Sequence, residues 1–143
     1  MDGNEELLNY IHQNSEMGIG TIQHLLEITK DEKFKKTLDS QKKEYEEINI
    51  AATEKLKERN KAAKDISAFA KASSNVMIDW KILADKSASH ISQMMIQGST
   101  MGIIEMTKKL KEYDNADSDI VELANKLLQF EQKNVEECKR YLH

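Results

Sequence analysis

No proline interrupts the 143 residues, and apolar side chains recur at alternating spacings of three and four along almost the whole chain. Proline ends helices more firmly than any other residue, because it lacks a backbone donor and clashes with the preceding turn. A proline-free chain with a 3.6-residue period is therefore set up for long helices. Glycine is the puzzling element. Gly18 and Gly20 lie in "SEMGIGTIQHLLEIT", and Gly98 and Gly102 lie in "IQGSTMGIIEMTKKL", both inside expected helices. Each costs ~1 kcal/mol relative to alanine in a helix interior. Such a cost suits a position where a neighbouring backbone or bulky side chain must come close, or where a pocket is lined.

The periodicity places a first helix over about 4–29, with Asn4 as N-cap and a stripe of Leu8, Ile11, Ser15, Gly18, Ile22 and Leu25. A second runs over about 32–59, started by Asp31 or Thr29 and stopped by Asn60. Its stripe is Phe34, Thr37 or Leu38, Gln41, Glu44 or Tyr45, Ile48, Ala51 or Ala52, and Lys55 or Leu56. A middle helix is expected over about 62–84, with Met77 and Trp80 on its stripe, before "DKSAS" breaks the pattern. A helix over about 89–112 carries Ile91, Met94, Met95, Gly98, Met101 and Ile104 or Glu105. After the turn "YDNADSD", a last helix over about 119–141 carries Val121, Ala124, Leu128, Glu131, Val135, Cys138 and Leu142.

The four long helices each span roughly 36–42 Å at ~1.5 Å per residue, and the middle one roughly 34 Å. It is long enough to carry the chain from one end of a bundle to the other. The expectation is one all-α domain over 1–143: a hairpin over 4–59, a crossover helix over 62–84, and a second hairpin over 89–141. An internal repeat supports two related hairpins. "MGI" occurs at Met17-Gly18-Ile19 and again 84 residues later at Met101-Gly102-Ile103. Phe34, Gln41, Glu44 and Ile48 line up with Val121, Leu128, Glu131 and Val135 at an offset of 87.

Composition narrows the function classes. A hydrophobic fraction of 39% beside a charged fraction of 32% fits helices with well-solvated outer faces. The net charge of −4 offers no basic field for nucleic acid or an anionic membrane. Apolar runs are only a few residues long, so no membrane span is expected. The acidic start "MDGNEELLNYIH" lacks the basic region of a secretory signal, and the one cysteine, Cys138, forms no internal disulfide. A soluble, cytoplasmic protein is the expectation.

Chemistry has few places to sit. Glu44 and Glu131 occupy stripe positions where apolar residues are expected, and a buried carboxylate must be paired, hydrated, protonated or metal-bound. Together with Glu47 they make a carboxylate-only candidate for iron or manganese. The plainer alternative is that they hydrogen-bond to Ser15, Ser99, Gln41 or a lysine. His12 and Glu16, and His24 and Glu27, have helical ligand spacing but lie off the stripe; His90 opens a helix and His143 ends the chain. Gly18, Met94, Gly98, Met101 and Gly102 are candidates for a mid-bundle pocket, with Trp80 and a hydrophobic ligand as the associated reading. Ile103, Met106 and Leu110, off the core stripe, are candidates for a self-association face.

The two-hairpin arrangement resembles the ferritin-like superfamily. Its di-metal members place a Glu on each of two helices and a Glu-x-x-His on each of the others. Here Glu131-Gln-Lys-Asn134 and Glu44-Tyr-Glu-Glu47 resemble that motif with the histidine replaced, and no Glu-x-x-His occurs. "DKSASHISQMMIQGSTMGIIEMTKKLKEY" and "ELANKLLQFEQKNVEECKRYL", with similarity extending from "NYIHQNSEMG" onward, resemble small ferritin-like proteins of spore-forming Firmicutes, including relatives of spore coat protein F. The resemblance implies a bundle of this type, a bacterial source and a non-catalytic role. The expectation is a structural or interaction protein, spore-associated, without a cofactor, working through protein partners or self-association.

Overall fold

The computed structural model describes residues 2–61 and 84–143. Among them all regular structure is helical: α1 (Gly3–Ile28), α2 (Glu32–Glu58), α3 (Ala88–Glu112) and α4 (Ser118–Lys139). The middle helix expected over 62–84, with Trp80, lies outside the described residues apart from Ala84.

Short polar side chains start the first three helices by accepting from orphan amides. Asp2 accepts from the Glu5 N–H at 2.8 Å, Asp31 from Phe34 at 3.0 Å and Ser87 from His90 at 3.2 Å. Asn4 is not a cap; it lies inside α1, and its side-chain oxygen accepts from the Asp117 N–H at 2.7 Å. Asp117 precedes α4 without a side-chain cap bond, because its carboxylate pairs with Arg59. α2 ends as expected at Asn60, whose φ of 57° is left-handed. The Asn60 N–H donates to the Lys57 carbonyl and the Lys61 N–H to the Leu56 carbonyl, both at 2.9 Å, closing a Schellman motif.

Contacts at the two ends fix the helix directions. At one end Asn4 meets Asp117, Lys55 pairs with Asp119 at 2.8 Å, and Lys61 pairs with Glu5 at 3.8 Å. At the other, the Thr37 and Tyr141 hydroxyls lie 2.8 Å apart, and the His143 N–H donates to Ser89 at 3.0 Å. So α1 and α4 run one way while α2 and α3 run the other. Residues 61 and 86 stand at opposite ends, since Lys86 shares a groove with Ile28, Thr29 and Asp31. α1 packs chiefly on α2 and α3 on α4, and α4 also touches both α1 and α2.

The core between the hairpins holds Leu8, Ile11, Ile22 and Leu25 from α1, Phe34, Leu38, Ile48 and Leu56 from α2, Ile91 and Met106 from α3, and Ile120, Leu127 and Phe130 from α4. Each such side chain contributes roughly 1.5–3 kcal/mol of transfer free energy. The internal repeat is carried into this core. Phe34, Leu38, Gln41, Tyr45, Ile48 and Ala52 of α2 are buried, and so are their counterparts 86 residues on, Ile120, Ala124, Leu127, Glu131, Asn134 and Cys138 of α4. The register is thus one residue shorter than the spacing of Glu44 and Glu131 suggested. It pairs Tyr45, not Glu44, with Glu131. Val121, Leu128 and Val135, expected on the α4 stripe, are only half-buried, and Leu142 is exposed.

α3 is rotated relative to expectation. Ile91, Ser92 and Met106 are buried, whereas Gly98, Met101 and Ile104 are exposed. Met106 is core and not part of a self-association face, and Leu110 is half-buried against that core. Apolar residues surround α3 on several sides, so spacing alone does not choose its inner face. The face that turns inward is the one where Ser92, Ser99 and Gly102 leave room for α4.

The left-handed stop at Asn60 makes a direct prediction. Asn60→Ala should lower stability by about 1 kcal/mol in urea unfolding, because alanine resists that backbone conformation, while Asn60→Gly should be neutral or slightly stabilising.

Candidate functional site

The two residues paired by the repeat, Tyr45 and Glu131, meet at mid-bundle. The Tyr45 hydroxyl donates to Glu131 Oε2 at 3.3 Å, and both side chains are buried. Phe130 meets the Tyr45 ring edge-on, with centroids 4.7 Å apart. Gly18 lies against the same ring: a Cβ there would fall 2.7 Å from two ring carbons. Gly102 lies against the carboxylate: a Cβ would fall 3.0 Å from Glu131 Oε1. The repeated glycine of "MGI" therefore does the same thing twice. It clears space on α1 for the central side chain of α2, and on α3 for the central side chain of α4. Gly20 and Gly98 are different, because an added Cβ would meet nothing within 4 Å at either.

Among the described residues no cation pairs with Glu131 at the centre of this cluster, and no cationic group is among the causes of its pKa shift. Burial pushes its pKa from 4.5 up to about 7, against the opposing hydrogen bonds from Ser99, Tyr45 and Asn14. The Tyr45 hydroxyl is held well above its ordinary range, first by burial and then by the neighbouring carboxylate. Asn14 also donates to the Tyr10 hydroxyl, which donates to the Gly102 carbonyl, both at 3.4 Å. Burial raises Tyr10 as well. Each of the four described helices thus contributes a polar group: Tyr10 and Asn14 from α1, Tyr45 from α2, Ser99 and the Gly102 carbonyl from α3, Glu131 from α4.

The expected carboxylate site does not assemble. Glu44 points outward and pairs with Lys133 at 3.6 Å, and Glu47 is exposed. Neither joins Glu131, because the inner position of that turn belongs to Tyr45. Among the described residues no group of three or more His, Cys, Asp or Glu side chains converges as a metal cluster would. Of the plainer alternatives, the lysine pairing holds for Glu44, and Ser99 stands near enough to Glu131 to lower its pKa. Ser15 instead donates back to the Ile11 carbonyl at 2.8 Å and accepts from Asn49 at 3.1 Å. His12 faces Glu16 at 3.7 Å with only 13% of its side chain exposed, more buried than its off-stripe position suggested.

The five pocket candidates also separate. Gly18 and Gly102 face the polar centre, Met94 is half-buried, and Gly98 and Met101 are exposed, so they line no common cavity. A half-open groove of about 350 Å³, lined by Ile28, Thr29, Lys30, Asp31, Lys86, Ser87 and Ala88, lies instead at the end of the bundle. Tyr10, Asn14 and the inward role of Tyr45 escaped the sequence reading. The sequence signal for Tyr45 was its place beside Glu44 as an alternative on the stripe of the second helix.

Among the described residues no helix is long and apolar enough to cross a membrane. Comparisons with protein-family models, curated proteins and solved structures found no match for this chain.

Two predictions follow from this geometry. Gly18→Ala should destabilise by about 1–3 kcal/mol, because the methyl displaces a buried ring. Gly20→Ala and Gly98→Ala should each stabilise by about 0.5–1 kcal/mol through helix propensity alone. Denaturant midpoints of the three variants check the contrast. For Glu131, the folded chain keeps a proton up to about pH 7 while the unfolded chain releases it near 4.5. The native state therefore binds more protons across that window, and stability should fall by about 3 kcal/mol as pH rises from 4 to 8. Unfolding of Glu131→Gln over the same range should lack that component.

Proposed function

We propose that the chain is a non-catalytic structural and interaction protein built as a ferritin-like bundle, acting in the spore-associated setting that its resemblance implies. Two antiparallel hairpins, with α2 and α3 running the same way, support the ferritin-like reading. The observation that carries the non-catalytic reading is the Tyr45–Glu131 pair. At the level where a di-metal bundle gathers several carboxylates and imidazoles, the described residues bring together Glu131, a tyrosine hydroxyl and neutral amide and hydroxyl groups, with Glu105 acting on Tyr10 nearby, and no cluster of three or more His, Cys, Asp or Glu.

Interaction then belongs to the outer surface. Met101 and Ile104 stand exposed within one turn of α3, and neither is needed in the core. They take the place of Ile103, Met106 and Leu110 as the apolar contact for a protein partner or a second copy.

Untagged protein purified without chelator should carry far less than one iron, manganese or zinc per chain by elemental analysis. Sedimentation should show self-association that Met101→Lys with Ile104→Lys weakens by roughly tenfold or more, as expected for losing two buried apolar contacts. Near-stoichiometric metal that disappears in Glu131→Ala would replace this reading with a divalent-metal one. A monomer at every concentration would remove self-association from it.

A further inference from the structure

The polar centre does not stop at Glu131. Glu131, Asn134 and Cys138 succeed one another at spacings of three and four on α4, so they stack along one face over about 10 Å. All three are at least 97% buried. Asn134 flanks the Tyr45 hydroxyl, while Gln41 from α2 and Ser92 from α3 flank the Cys138 thiol, whose pKa burial raises to about 11. The result is a polar column running through the core.

Its members are poorly satisfied by one another. Among the described residues, both amide atoms of Gln41, both amide atoms of Asn134 and the Ser92 hydroxyl complete no hydrogen bond. Gln41 and Asn134 are 2% exposed and Ser92 is fully buried. Closeness to the thiol does not discharge them, since sulfur is a weak partner. Five buried polar atoms in one column demand a ligand that both donates and accepts, is small, and carries no charge. Water meets all three conditions, and a buried water makes about three such bonds. A cation would satisfy the amide oxygens but repel the amide N–H groups, and a simple anion would do the reverse.

We propose that this column is a binding site for about two water molecules, held by Gln41, Ser92 and Asn134 and reaching toward Glu131. The site stands on the orphaned amides and is independent of the functional reading above. Its occupants bind the native state alone and exchange slowly with solvent.

Oxygen-17 magnetic relaxation dispersion on the full chain tests this. The wild type should show long-lived internal water, and Asn134→Leu should lower the dispersion amplitude by the equivalent of about one molecule. Gln41→Met provides the same reading should Asn134→Leu fail to fold. No loss of amplitude in a folded variant would overturn the proposal, and so would the absence of long-lived water in the wild type. Manganese ion, added as a probe, should give no saturable rise in melting temperature. A rise abolished by the same variant would make the column a cation site and likewise overturn the water assignment.

Discussion

A single hydrogen bond between two halves of the chain organises the middle of this protein. Tyr45 and Glu131 occupy matching places in two related hairpins, and their contact closes one hairpin onto the other. The bond is modest in itself, ~1 kcal/mol or somewhat more for a charged acceptor. Its surroundings give it weight. The tyrosine ring needs Gly18, the carboxylate needs Gly102, and the carboxylate's remaining lone pairs draw Ser99 and Asn14 inward. Change either central side chain and the glycines lose their purpose.

Near-symmetry is broken at the centre for a physical reason. Two carboxylates at these positions would repel each other in a dry core unless a cation or a shared proton intervened. Tyrosine opposite glutamate resolves that conflict, because one group donates and the other accepts. The aromatic body of Tyr45 also fills volume and packs on Phe130. Beyond the axis the halves diverge freely: Ile48 on α2 answers to Asn134 on α4, and Ala52 to Cys138. The polar column therefore belongs to α4, with α2 and α3 supplying its flanks.

Electrostatics follow from the same arrangement. Glu131 lies among neutral dipoles, so burial governs its protonation and places it near neutrality. The chain's many lysines and glutamates stay outside, in pairs such as Lys55–Asp119 and Lys133–Glu44, where solvent limits their value. Stability thus rests on helix packing around a buried carboxyl, while the ion pairs Lys55–Asp119, Arg59–Asp117 and Lys61–Glu5 hold helix ends together.

Helix number, length and boundaries within the described residues were legible in the sequence. Capping residues and the 3.6-residue period act locally, and Asp31, Asn60 and the matched glycines announce themselves without knowledge of neighbours. The inner faces of α1 and α2 were legible too, because their apolar stripes stand out against charged backgrounds. The inner face of α3 was not. Methionines and isoleucines surround that helix, so its orientation is chosen by which small residues let α4 approach. The central pair escaped for a related reason. Glu44 and Tyr45 both fit the stripe of α2, and only packing against α4 decides that the tyrosine turns inward and the glutamate meets Lys133 at the surface. Local spacing determines where a helix begins, ends and repeats; which of two adjacent residues enters a shared core depends on the volume and hydrogen-bonding groups that the opposite helix presents.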